Sequence, residues 1–119
     1  MTQETIEQVL KFRDDRNWKQ FHNPKDLAIS ICLEAAELLE VFQWSADDVR
    51  CAEKADKIRE DLADVVNYCI LMADACGLDL DEIVQEKIRK NAEKYPVEKA
   101  YGSKEKYTEL KSEHRGGAQ

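Results

Sequence analysis

The chain has 119 residues, a formal net charge of −7, 43% hydrophobic residues, and only four Gly and two Pro. That length suits one domain with a modest core, and that composition suits helices and argues against a Gly-punctuated β architecture. The acidic balance disfavours non-specific binding to a nucleic acid polymer or an anionic membrane, and no stretch approaches the ~18 apolar residues of a membrane span.

The N-terminus, MTQETIEQVLKFRDD, has no uninterrupted apolar region and does not read as a secretory signal, so a cytoplasmic protein is expected. The four cysteines, Cys32, Cys51, Cys69 and Cys76, form no C-x-x-C pair. They read as buried or half-buried free thiols in a reducing compartment. His22 and His114 are the only histidines and lack zinc-ligand spacing.

In chain order, the first helix is expected from about Thr2 to Arg16. Ile6, Val9 and Leu10 form a short apolar stripe, and Arg13 stands where the next apolar residue belongs. The loop NWKQFHNPKD follows. Asn23 as N-cap with Pro24 at the first helical position starts a second helix, expected to reach about Gln43. Leu27, Ile31, Leu38 and Phe42 lie on one face of it; Ile29, Leu33, Ala36 and Leu39 cover much of the other. A helix apolar nearly all round is central, and in a chain this small that suggests a core completed by another subunit.

Trp44 to Lys57 reads as a connection, with Ser45 and Asp48 resembling a capping box that opens a short turn of helix. A third helix is expected from about Ala55 to Cys76, with Ile58, Leu62, Val65, Cys69, Met72 and Cys76 as a bundle seam and Gly77 beyond its end. Asp79 with Glu82 caps a fourth helix running to about Lys94, and Pro96 stops it. The expected organisation is a helical domain over 1–96 and a polar tail over 97–119 whose end, HRGGAQ, is disordered. Four helices with short links give an all-α fold, a four-helix bundle.

Two stretches within the second and third helices carry charges of one sign only. From Leu27 to Phe42 these are Glu34, Glu37 and Glu40; from Asp61 to Cys76 they are Asp61, Asp64 and Asp74. No Lys or Arg occurs between Asp26 and Val49, or between Glu60 and Glu86. A buried carboxylate needs a partner. Glu34 and Glu37 project side by side, as do Asp61 and Asp64. If the two helices are neighbours, four carboxylates converge into a pre-formed cage for Mg²⁺, with Mn²⁺ as a substitute, because an all-oxygen donor set suits these ions. Such a cage clamps a polyphosphate and activates a water for attack on phosphorus. Against this stands the plain reading that E-x-x-E and D-x-x-D are common on solvated helix faces. Glu60 at i, i+4 from Asp64 competes but sits beside Arg59; Glu40 and Asp74 read as solvated or interface residues.

Around the acids, Tyr68 shares a face with Asp64, and its hydroxyl either satisfies the bundle or meets a phosphate or sugar. Lys87, Asn91 and Lys94 form a basic stripe at i, i+4, i+7, either a solvated face or the far side of a triphosphate site. Trp18 and Trp44 flank the second helix, either as loop anchors or as a pair that sandwiches a base.

The blocks NWKQFHNPKDL, EAAELLEVFQW, EDLADVVNYCILMA, KIRKNAEKYP and KYTEL, in this order and spacing from Trp18 to Leu110, resemble the MazG-like all-α nucleoside triphosphate pyrophosphohydrolases, most closely the dCTP pyrophosphatase branch. That family has E-x-x-E followed by E-x-x-D. Glu34, Glu37 and Asp64 match, and Asp61 stands where Glu is more usual. The resemblance implies catalytic metal ligation by Glu34, Glu37, Asp61 and Asp64, and base stacking by Trp18 and Trp44 with His22 close to the sugar or base. It also implies substrate contacts from Tyr68, Lys87, Asn91, Lys94 and Tyr95. The implied reaction is Mg²⁺-dependent cleavage of a nucleoside triphosphate, with deoxycytidine nucleotides favoured, to monophosphate and pyrophosphate, by a homo-oligomer, commonly a tetramer of dimers. Two alternatives stand beside it: the same fold acting on dUTP or phosphoribosyl-ATP, and a non-catalytic metal-binding helical oligomer. A di-iron bundle lacks its Glu-x-x-His motif.

Overall fold

A computed structural model describes residues 1–104, and its regular elements are all helical. Among the described residues the long helices are α1 (Gln3–Asp15), α2 (Pro24–Glu40), α3 (Ala55–Ala75) and α4 (Leu80–Lys94), followed by a short α5 (Val97–Ala100). Met1–Asp79 forms one compact unit, and Leu80 opens a second. The segments KYTEL and HRGGAQ, the latter expected to be disordered, lie outside the described residues.

Local chemistry sets the helix ends. The Thr2 hydroxyl accepts from the Thr5 N–H at 3.2 Å and starts α1. Asn23 Oδ1 accepts from the Asp26 N–H at 2.9 Å, and Pro24 occupies the first helical position of α2. At the end of α3, Gly77 takes φ +67° and donates to the Asp74 carbonyl, while the Leu78 N–H reaches the Ala73 carbonyl at 2.8 Å. This pair of bonds is a Schellman closure, and it requires the left-handed conformation that Gly adopts without steric cost.

α2 stops at Glu40 rather than Gln43. Phe42 and Gln43 donate to carbonyls three residues back, which tightens the chain into turns. Trp44, Ala46 and Cys51 then take positive φ (66°, 50° and 45°), a conformation that side chains with a Cβ adopt only when the surroundings impose it. The turn of helix expected at Ser45 does not form there. Asp48 instead turns its Oδ1 to the N–H groups of Arg50 and Cys51, at 3.2 and 3.0 Å, and a 3₁₀ turn follows at Ala52–Lys54.

Within the first unit α3, not α2, is the central helix: it packs along α2 on one side and against α1 on another. Leu27, Val41, Ile70, Leu71 and Ala73 are buried there. Because α3 is covered from two directions, its burial does not follow the expected single seam; Leu62 is 51% exposed while Asp61 is 1% exposed. The apolar far side of α2 is uncovered, with Ile29, Leu33 and Leu39 at 48%, 61% and 70% exposure. All four cysteines are free. Cys51, the one outside the helical patterns, is the buried thiol, whereas Cys32 and Cys76 are exposed, contrary to the expectation of burial.

Candidate active site

The packing of α2 on α3 brings the two acidic pairs near one another. Glu34 and Glu37 come from α2, Asp61 and Asp64 from α3. Burial pushes the Glu34 carboxyl above the ordinary carboxylate range, and the charges of Glu37, Asp64 and Asp61 push it further. Glu34 Oε2 and Asp61 Oδ2 are buried without a hydrogen-bond partner. Such oxygens cost free energy unless something satisfies them.

The stretch free of bases does not leave every acid without one. Lys57, one turn before Asp61, places its Nζ 2.9 Å from Asp61 Oδ1. Asp74, expected to be solvated or at an interface, is ion-paired with Arg13, whose Nη1 stands 2.6 Å from Asp74 Oδ2. The acids are therefore neighbours rather than a gathered cage. Among the described residues no group of three or more His, Cys, Asp or Glu side chains stands in metal-holding geometry. The donor set nonetheless suits a hard divalent cation: all oxygen, with two buried oxygens unsatisfied.

Beside the acids lies a cavity of about 360 Å³ between α1, the loop after it, and α3. Trp18, His22, Asp64 and Tyr68 all line it. Four residues singled out in different parts of the sequence thus share one wall, with Asp64 belonging both to the acid cluster and to the cavity. Phe12 and Trp18 meet edge to face at 5.9 Å, and the Arg16 guanidinium lies 3.6 Å from the Phe12 ring centroid. Burial and the nearby Arg13 charge lower the His22 pKa, which favours the neutral imidazole, and its Nδ1 is buried without a partner. Trp44 does not line this cavity and is 91% exposed. Lys87, Asn91 and Lys94 lie along α4, and Tyr95 follows it with its N–H bonded to the Asn91 carbonyl at 2.8 Å.

The sequence pattern of the MazG-like family matches residues 29–110. The chain belongs to the MazG-like family. The matched span contains both acidic pairs, Trp44, Tyr68 and the α4 residues; Trp18 and His22 precede it. The chain is similar to dCTP pyrophosphatase 1 of Mus musculus, with 35% identity over 105 residues covering 84% of this chain and 62% of that protein. The corresponding human protein gives the same identity and coverage. The chain thus spans less than two thirds of the length of these curated relatives. A pyrophosphatase from Archaeoglobus fulgidus, known from its crystal structure, aligns with a TM-score of 0.72 and 39% identity over 78% of this chain and 90% of that one.

The cavity is also lined by residues that the sequence reading did not assign. Arg13, Asn67 and Leu71 are in its lining. Arg13 carried a signal, since a charge within an apolar stripe is either a misread face or a buried group with a partner. It is 4% exposed, and its Nε also donates to Asp14 at 2.8 Å. Lys57 carried one too, at i, i+4 from Asp61. Asn67 and Leu71 carried none beyond neighbouring Tyr68.

Proposed function

We propose that this chain is a Mg²⁺-dependent nucleoside triphosphate diphosphatase that hydrolyses a (d)NTP, with dCTP or a modified dCTP as substrate, to the monophosphate and pyrophosphate. The observation that carries the proposal is the double membership of Asp64 in the acid cluster and in the aromatic-walled cavity. Phosphate chemistry and a nucleoside pocket then adjoin. The similarity to dCTP pyrophosphatase 1 over most of the chain supports the same reading.

In this reading Glu34, Glu37, Asp61 and Asp64 hold the cation, with Mn²⁺ as a substitute. A bound divalent ion supplies charge neutralisation and Lewis acidity to the phosphate chain. A carboxylate of this set that is not fully used in ligation would take the proton of the attacking water. Trp18 and Tyr68 hold the nucleoside, and neutral His22 offers it Nδ1 as an acceptor. Lys87, Asn91, Lys94 and Tyr95 of the second unit are assigned to phosphate and base contacts by family resemblance. The uncovered apolar side of α2 supports assembly into a dimer or tetramer. A cytoplasmic location accompanies this role; no helix of the described residues is long and apolar enough to cross a membrane.

The test is product analysis of the purified chain with Mg²⁺ against dCTP, dUTP, the other deoxynucleotides and the ribonucleotides, resolving monophosphate, diphosphate and pyrophosphate. Monophosphate with pyrophosphate, fastest from dCTP, is the expected result. A dUTP or phosphoribosyl-ATP preference changes the substrate and keeps the reaction. No turnover, together with thermal stabilisation by Mg²⁺ that nucleotide does not extend, indicates a non-catalytic metal-binding oligomer.

Trp44 tests the stacking assignment. Its exposure means that Trp44→Ala changes stability by only about 0.5 kcal/mol or less. Loss of a stacking contact worth ~1–3 kcal/mol raises KM about tenfold. Steady-state kinetics beside a thermal melt separate the two, and an unchanged KM removes Trp44 from substrate binding.

A further inference from the structure

Asp61 is the most deeply buried of the four acids. Its side chain is 2% exposed, its Oδ2 is enclosed without a partner, and its Oδ1 accepts from Lys57 Nζ at 2.9 Å. The Lys57 side chain is 57% exposed, so the ammonium reaches this oxygen from the solvent edge on a flexible stem. Carboxylate oxygens so far removed from water cost free energy unless a cation or a hydrogen-bond donor meets them. Lys57 lies one turn earlier on α3, the spacing at which two helical side chains meet. It touches one oxygen of Asp61 and leaves the other facing inward.

We infer that Lys57 is a resident counter-cation for Asp61, holding the buried carboxylate in place at the acid cluster and competing with a divalent ion for that charge. Lys57 is then a positioning residue that sets how tightly the cluster takes a cation. This rests on the reading of Glu34, Glu37, Asp61 and Asp64 as a cation site. Two consequences follow from charge alone. Without divalent ions, loss of the ammonium leaves Asp61 buried with no partner and lowers the melting temperature. With divalent ions, loss of the ammonium removes a like charge next to the incoming cation and tightens its binding.

The experiment is calorimetric titration of the intact chain with MgCl₂, without nucleotide, alongside thermal melts with and without Mg²⁺. The proteins compared are the wild type, Lys57→Met, Lys57→Arg, Asp61→Asn and the Lys57→Met/Asp61→Asn double variant. Lys57→Met is expected to melt lower than wild type in chelator, to gain more from Mg²⁺, and to bind Mg²⁺ about fivefold more tightly. Lys57→Arg keeps the charge and the wild-type affinity. Against Asp61→Asn the Lys57→Met change has no effect on the chelator melt, because the carboxylate it served is gone. Wild-type binding with unchanged or weaker affinity in Lys57→Met overturns this inference alone. Absence of saturable Mg²⁺ binding in the wild type overturns the cation site, and this inference with it.

Discussion

Glu37→Gln and Asp64→Asn are each expected to reduce turnover by about 10²–10³-fold or more while leaving the fold intact. On the proposed function, several kcal/mol of charge stabilisation at the reacting phosphate would depend on a cation held by these acids, and each 1.36 kcal/mol is tenfold in rate. Both side chains are exposed, so an isosteric amide costs no packing. Stability is expected to move the other way from activity. Glu37 is one of the charges that raise Glu34's pKa, so Glu37→Gln relieves repulsion within the cluster. In chelator its melting temperature therefore equals or exceeds that of the wild type. A circular-dichroism melt in chelator and an initial rate with Mg²⁺ measure the two effects on one sample. Retained activity in both variants removes the acid cluster from the mechanism. A loss of activity accompanied by a lower melt assigns these acids to the fold instead.

The parts of the fold that were legible in the sequence rest on near-neighbour chemistry. Asn23-Pro24 marks the start of α2 and Gly77 the end of α3 because a cap involves residues only a few positions apart. The all-helical fold follows from composition and spacing for the same reason. Long-range pairings were not legible. Nothing in the spacing of α1 indicates that Arg13 meets Asp74, which with no base between Glu60 and Glu86 reads as a solvated or interface residue. The central position of α3 was hidden likewise. Apolar residues around all of α2 read as a central helix in a core completed by another subunit; within the chain Ile29, Leu33 and Leu39 are uncovered. Periodicity reports how much apolar surface a helix has, not which element covers it. Of the candidate site, the meeting of Trp18, His22, Asp64 and Tyr68 on one cavity was reachable only through the whole pattern of the family, since each of these residues alone has an ordinary structural explanation.

The Arg13–Asp74 pair ties α1 to α3, and its removal should be felt in both stability and binding. Asp74→Ala leaves a guanidinium that is 4% exposed without its longer-range partner. Breaking a fully buried pair costs about 3–5 kcal/mol. Asp74 is at the margin of that case, with a side chain 32% exposed, and Arg13 keeps its bond to Asp14. The expected loss is therefore about 2 kcal/mol, or some ~8 °C in melting temperature. The double variant Arg13→Met/Asp74→Leu separates the pair's contribution to the fold from its contribution to the cavity. Apolar replacement of a buried pair is often neutral or stabilising, so the melt should return close to that of the wild type. Arg13 also lines the cavity that holds Trp18, His22 and Tyr68, and methionine has no N–H to offer a ligand there. Nucleotide affinity should stay reduced in the double variant after stability has recovered. Recovery of both would make Arg13 a fastener for α1 and nothing more.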